Sequence, residues 1–472
     1  MSVDHSAGCA PERAAGNPLL ALLMRLHFYV GVFVGPFLFI AAASGIVYVL
    51  SPQMEPWLYS KALYSEARGP SLPLSRQVEI AEAFLDHKGT LIAVRPSPQT
   101  GVTTRVQFAE SGLRPSESRA IFVDPVSGEV RGDHVVYGTS GVLPARGLID
   151  QFHRGLLLGD FGRLYSELAA SWLWIAALGG VVLWLTKRRR ARAEPKAGQG
   201  MRRWHARLGL VLLLGLLFFS ATGLTWSQYA GGNIGVLRQF YGWSTPSVAT
   251  ALNGAMDMPA GEHAEHMGHH MAGMTGDAPT DTKPFDAVLA AARQSGIDAS
   301  LLEIRPARSA DKAWTVTEID RRWPSQVDAV AVDPHTLRVV DQVRFEDYPL
   351  AAKLTRWGID LHMGVLFGFW NQVVLALFAL GLAVMVVWGY LMWWRRRPIA
   401  YGYQGPLRTF LALGVGMRLW VLTTFLVLGI CLPVLGASLV LFVLIDGVVN
   451  GVRHREHGWS QPGSPPQEEK VV

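Results

Sequence analysis

Residues 24–48 read MRLHFYVGVFVGPFLFIAAASGIVY, and residues 202–226 read RRWHARLGLVLLLGLLFFSATGLTW. Each stretch is apolar over the ~20 residues that a helix needs to cross a bilayer core. Each has one histidine near its start, His27 and His205, with Arg two residues before it (Arg25, Arg203) and Gly four after (Gly31, Gly209). At +17 and +18 stand Ser44-Gly45 and Thr222-Gly223, and at +21 Tyr48 and Trp226. A second pair, His153 and His362, lies in F-H-R-G-L-L-L-G and L-H-M-G-V-L-F-G, with Gly at +2 and +6 and Trp at +31 (Trp184, Trp393). Ionisable residues in membrane segments are costly and point to function. Neutral imidazole is also the commonest metal ligand. Four such histidines in a duplicated frame predict two bis-histidine metal centres.

The chain has 472 residues, half of them apolar and 17% charged. Because the apolar residues are clustered, the composition is that of a membrane protein rather than of one large core. Its two cysteines, Cys9 and Cys431, make neither a disulfide framework nor a cysteine zinc site. Without a C-x-x-C-H motif, covalent haem attachment is excluded. The first apolar segment runs long and lacks a small-residue cleavage site, so it reads as a retained helix. The net charge of +6 belongs to basic runs abutting apolar helices, which argues against nucleic-acid binding. No Ser/His/Asp set, Walker loop, Rossmann glycine pattern or H-E-x-x-H supports a hydrolase or nucleotide-binding reading.

Lys and Arg set the orientation. The run Lys187 to Arg203 and the triplet Arg395-Arg396-Arg397 place two loops in the cytoplasm. The expected order is a cytoplasmic tail (1–18), helix 1 (19–50), an outer domain (51–150), helix 2 with an outer extension (151–187), a basic cytoplasmic loop (188–203) and helix 3 (204–227). An outer region (228–361), helix 4 (362–394), a cytoplasmic loop (395–406), two C-terminal helices turning near Pro433 (407–450) and a cytoplasmic tail (451–472) follow. Six crossings with both termini inside result, at the cost of Arg418 near the middle of the fifth helix; a single re-entrant segment is the alternative for 407–450. Because 151–167 is too polar for lipid, His153 is expected on an outer extension or a bend near Gly159 and Gly162.

Both outer loops read as a helical run followed by strands. The first ends in I-F-V-D-P-V-S-G-E-V (121–130), a hairpin signal. The second contains W-T-V-T-E-I and V-A-V-D-P-H-T-L-R-V-V (330–340). His27 and His205 are 178 residues apart, while Asp124 and Asp333, His153 and His362, and Trp184 and Trp393 are each 209 apart. The chain is therefore one helix–domain–helix unit used twice, with 31 extra residues in the second copy. The expected place for them is the His/Met-rich stretch 251–281.

The V-D-P-x-[ST]-G-E-V ending resembles the PepSY domain. Paired helices carrying R-x-H and H-x-G histidines resemble the PepSY-associated transmembrane proteins. In the second copy His335-Thr336-Leu337 departs from the Ser-Gly turn, leaving that hairpin open. The resemblance implies an α-helical membrane protein with duplicated helix–PepSY–helix units and two small extracytoplasmic α+β modules. It implies a bacterial-type inner-membrane location and two haem b groups. His27 and His205 would hold the cytoplasmic-side haem, and His153 and His362 the periplasmic-side haem. It further implies electron flow from a cytoplasmic flavin or flavoprotein reductase to a ferric siderophore or metal ion. Some relatives carry a C-terminal flavin reductase module, and none is expected among the segments of this sequence, where apolar helix and a short polar tail follow Arg397.

Arg25, Arg203, Arg154 and Arg356 are candidates to pair with haem propionates, with positive-inside anchoring the alternative for Arg25 and Arg203. Met256, Met258, His263, His266, Met267, His269, His270, Met271 and Met274 offer thioether and imidazole to copper, or form a polar insertion without a metal role. Two other functions stay open: a non-enzymatic protein binding an envelope partner, and copper handling through the His/Met loop.

Overall fold

The computed structural model describes residues 17–190, 200–252, 281–395 and 405–458. Helix α1 (Pro18–Tyr29) passes through a π-helical turn (Val30–Val34) into α2 (Gly35–Leu50). Two one-turn helices, α3 (Glu55–Leu58) and α4 (Ser60–Leu63), precede α5 (Leu74–Phe84). Strands β1 (Thr90–Arg95), β2 (Thr104–Ala109), β3 (Glu117–Val123) and β4 (Val130–Tyr137) follow, then α6 (Pro144–Gly155) and α7 (Gly159–Arg190). The second copy opens with α8 (Gly200–Thr225) and α9 (Tyr229–Phe240), then α10 (Pro284–Gln294). It continues through β5 (Leu302–Arg305), β6 (Trp314–Glu318), β7 (Ala329–Val332) and β8 (Val339–Val343) to α11 (Leu350–His362) and α12 (Gly368–Arg395). The C-terminal part holds α13 (Pro406–Leu411), α14 (Val415–Cys431) and α15 (Pro433–Gly458).

Among the described residues, four helical segments are long and apolar enough to cross a membrane: Pro18–Gln53, Gly159–Thr186, Gly200–Thr225 and Gly368–Arg395. Two shorter apolar helices, Val415–Cys431 and Pro433–Val449, stand where the fifth and sixth crossings were expected. Arg418 is not in the middle of a helix. It sits in the first turn of α14, where its Nε donates to the Leu413 carbonyl at 2.7 Å and its guanidinium also reaches the Leu411 carbonyl. It thereby satisfies carbonyls that the end of α13 leaves unpaired.

Two compact units emerge. One combines 1–38, 168–220 and 384–472, and its described part is helical. There Trp172 is fully buried, its Nε1 donating to Ser438 Oγ at 2.9 Å and its ring 5.8 Å from Phe442.

The other unit combines 39–167 and 221–383 and contains the sheet. The two expected α+β modules are fused into one eight-stranded sheet of order β4-β3-β2-β1-β5-β6-β7-β8. The join is antiparallel, with Val94 opposite Ile304. Arg95 and Glu303 bridge it at 2.6 Å, both largely buried. Helices α5 and α10 cover the sheet with Val78, Ala81, Phe285, Val288 and Ala292, packed on Val94, Val106, Ile121, Ile304, Val316 and Val330. Each fully buried Val, Ile or Phe in such a layer stabilises by about 1.5–3 kcal/mol.

Both hairpins form. In the first, Asp124 Oδ1 accepts from Val126 N at 2.8 Å and Gly128 takes φ +75. In the second, Asp333 Oδ1 accepts from His335 N at 2.9 Å, and Leu337 takes the left-handed place of Gly128 at φ +57. The aspartate, not the glycine, keeps the turn. A non-glycine residue in that conformation costs about 1–2 kcal/mol.

The bend near Gly159 separates α6 from α7. Leu156, Leu157 and Gly159 have φ of +53, +60 and +59. Gly162 is required there, because a Cβ would lie 1.7 Å from the Gly155 carbonyl oxygen.

Candidate functional site: two histidine pairs

His27 and His205 belong to the helical unit, and His153 and His362 to the sheet-containing unit. His27 and His205 are near enough to influence each other electrostatically, and so are His153 and His362. Each pair draws one histidine from each copy.

His153 ends α6, where its Nδ1 meets Ser44 Oγ at 2.9 Å. Ser44 donates its own proton to the Ile40 carbonyl at 2.7 Å. An imidazole that donates from Nδ1 to this oxygen leaves Nε2 as the nitrogen suited to a metal. His362 ends α11, and its Nδ1 meets Thr222 Oγ1 at 2.6 Å. The spacing is the repeat itself: Ser44 and Thr222 stand 17 residues past His27 and His205. These two hydroxyls were visible as repeated positions, but their histidine partners, more than a hundred residues away, were not.

The helical unit uses carbonyls instead. His27 Nδ1 donates to the Ala176 carbonyl on α7 at 3.0 Å. His205 lies beside the Met385 backbone on α12, at the position equivalent to Ala176. It falls short of a full hydrogen bond, so its Nδ1 is buried without a partner among the described residues. A backbone acceptor leaves no side-chain signature, and sequence reasoning had nothing with which to find it.

Glycines make room for the rings. A Cβ at Gly45 would stand 3.3 Å from His153 Cε1, and one at Gly180 would stand 3.3 Å from His27 Cε1. At Gly31, one turn past His27, a Cβ would meet nothing within 4 Å. Burial pushes His153 down to about 4 and His362 down to about 3. Both are therefore neutral at physiological pH, the state a metal ligand needs.

The candidate propionate arginines have protein partners. Arg25 donates to the Gly405 carbonyl at 2.8 Å, Arg154 pairs with Asp150 at 3.6 Å and with the Tyr137 hydroxyl, and Arg356 pairs with Asp360 at 3.3 Å. Arg203 lies in the first turn of α8. Among the described residues no three His, Cys, Asp or Glu side chains converge on a metal-sized site. Met256, Met258, His263, His266, Met267, His269, His270, Met271 and Met274 lie outside the described residues.

A helix–sheet–helix unit used twice, with its histidines paired between the copies, defines a duplicated membrane protein. The chain belongs to the PepSY-associated TM region family, which matches residues 24–396. No curated protein matches it.

Proposed function

We propose that this protein is a membrane oxidoreductase carrying two haem b groups, one per histidine pair. It takes electrons from a cytoplasmic flavin or flavoprotein donor and reduces a metal substrate on the other side. The substrate we favour is a ferric siderophore, with Fe(III) or Cu(II) ions as alternatives. The observation that carries this reading is the repeated Nδ1 contact, which turns the Nε2 of His153 and His362 toward ligation. Haem b, when bound, would supply reversible one-electron iron chemistry, and the paired imidazoles of His27 with His205 and of His153 with His362 would hold it, favouring electron transfer over oxygen chemistry. The chain's own part is to keep the imidazoles neutral, to fix their tautomers through Ser44, Thr222 and the Ala176 carbonyl, and to leave space at Gly45 and Gly180. One electron delivered converts each Fe(III) to Fe(II), which a siderophore holds weakly.

The test is an absorbance spectrum of the purified protein, oxidised and then dithionite-reduced, with a pyridine haemochrome count. About two haems per chain, reoxidised by a ferric siderophore or by Cu(II), support the reading and rank the substrates. Protein expressed with ample haem and showing no haem band overturns it. Deleting 251–281 separates copper handling from electron transfer, since only the former requires that stretch.

A further inference from the structure

We infer that helix α9 lies along the membrane–water interface with its apolar side in lipid. Two independent observations lead there. The first is the inverted pattern of the helix. Ala230 and Gly231 face inward, while Val236, Leu237 and Phe240 face out, with Val236 69% and Phe240 80% exposed. Tyr241 and Trp243 extend this surface and stack at 4.9 Å. An outward apolar stripe this long on a water-facing helix is unfavourable.

The second is depth. The buried carboxylate of Glu167 accepts from the first N–H groups of α9, Tyr229 N at 2.9 Å and Ala230 N at 3.0 Å. A carboxylate suits a helix N-terminus, where the dipole is positive. Glu167 is the last charged residue of α7 before the uncharged run 168–186, in a segment long and apolar enough to cross a membrane. Helix α9 therefore starts beside α7 at the edge of its apolar run. It also begins four residues past Thr225, the end of another membrane-crossing segment. Phe161, 75% exposed at the start of α7, continues the same apolar zone. Lipid is thus the occupant consistent with both neighbours, and Tyr and Trp at the far end suit the headgroup layer. This inference does not rest on haem.

The test places single nitroxide labels on the full chain in phospholipid nanodiscs. Cys9 and Cys431 are first changed to Ser, then Val236, Leu237 and Phe240 are changed to Cys one at a time. Lys88→Cys, on the sheet-bearing unit, is the aqueous control. Collisions with oxygen and with a water-soluble nickel chelate are compared. The expected result is an oxygen-to-nickel ratio several-fold higher at the three α9 sites than at Lys88. Nickel access equal to that at Lys88 overturns the inference in favour of water. Exclusion of both reagents overturns it in favour of a protein cover, from a second copy or from another part of the chain.

Discussion

The two copies hold their histidines alike and surround them differently. In the first, charge lies beside His153: Arg154 pairs with Asp150, and Arg146 stands 3.7 Å from Glu55 and over the Tyr48 ring. The equivalent positions in the second copy are Met363, Ile359 and Thr355, with Trp226 for Tyr48, and the charged pair sits instead at Arg356 and Asp360. Trp226 lies 5.9 Å from His362, and Trp357, on the same helix as His362, packs against Trp323 and Phe345. The helix corners are fastened differently too. Tyr165 and Ser166 donate to the His153 and Arg154 carbonyls in the first copy, and Asn371 donates to Leu361 in the second. What both copies keep is the histidine and the hydroxyl against it. The histidine–hydroxyl contact is therefore the shared feature, and the polarity around it differs.

The largest expected effect tests that shared feature. His153→Ala and His362→Ala should each lower the haem count from about two to about one per chain, because either removes half of the same pair. A haemochrome count that differs between the two variants would break the equivalence of the copies.

Next comes the seam between the sheet halves. Removing one partner of a buried ion pair costs about 3–5 kcal/mol, so Glu303→Ala should lower the thermal midpoint strongly, and Arg95→Ala similarly. Burial alone would raise the Glu303 carboxyl, but Arg95 and Arg305 outweigh it and hold it at about 2. A carboxyl depressed in the folded state stabilises fully above its unfolded value, near 4.5. That contribution is lost as pH falls from about 4.5 toward about 2. Denaturant midpoints across that window should fall for the parent chain and stay flatter for Glu303→Gln.

The hydroxyls sharpen the comparison. Ser44→Ala and Thr222→Val should each weaken retention of the bound group by about 10–100-fold and shift its midpoint potential, while Thr222→Ser preserves both. Equal losses would show that the charged and aromatic surroundings contribute little to binding.

The smallest effect concerns the hairpins. Leu337→Gly should stabilise by about 1 kcal/mol by relieving the left-handed leucine. Gly128→Leu should destabilise by more, since a Cβ there would come within 2.8 Å of Ile80 Cδ1. Thermal melts of the two variants decide it.

Much of this was legible because periodicity and duplication are local properties of the chain. The histidine frame, the membrane-length segments, the bend at Gly159 and the D-P turns all follow from short spacings. The Asp124 and Asp333 turns read correctly as a pair even though Leu337 looked unsuited to the second. The fusion of the two modules was not legible, since an edge pairing such as Val94 with Ile304 depends on which strand is left bare. Nor was the placing of Arg418, because α13 and α14 are separated by three residues of ordinary composition. The 31 extra residues were assigned to 251–281, but the region that holds them already opens with α9, where the first copy has only two one-turn helices.

The seam has an evolutionary consequence. Residue 94 of the first copy meets the counterpart of residue 95 in the second, and such a register maps onto itself when the copies are exchanged. It is the arithmetic of an isologous interface. A half-length ancestor would have carried a bare β1 edge, prone to uncontrolled association, and half of each histidine pair. Two such chains pairing through β1 would have covered the edge and completed both sites at once. Fusion into one polypeptide then freed the halves to diverge, and Arg95 against Glu303, a pair now made of unlike partners, is one mark of that freedom.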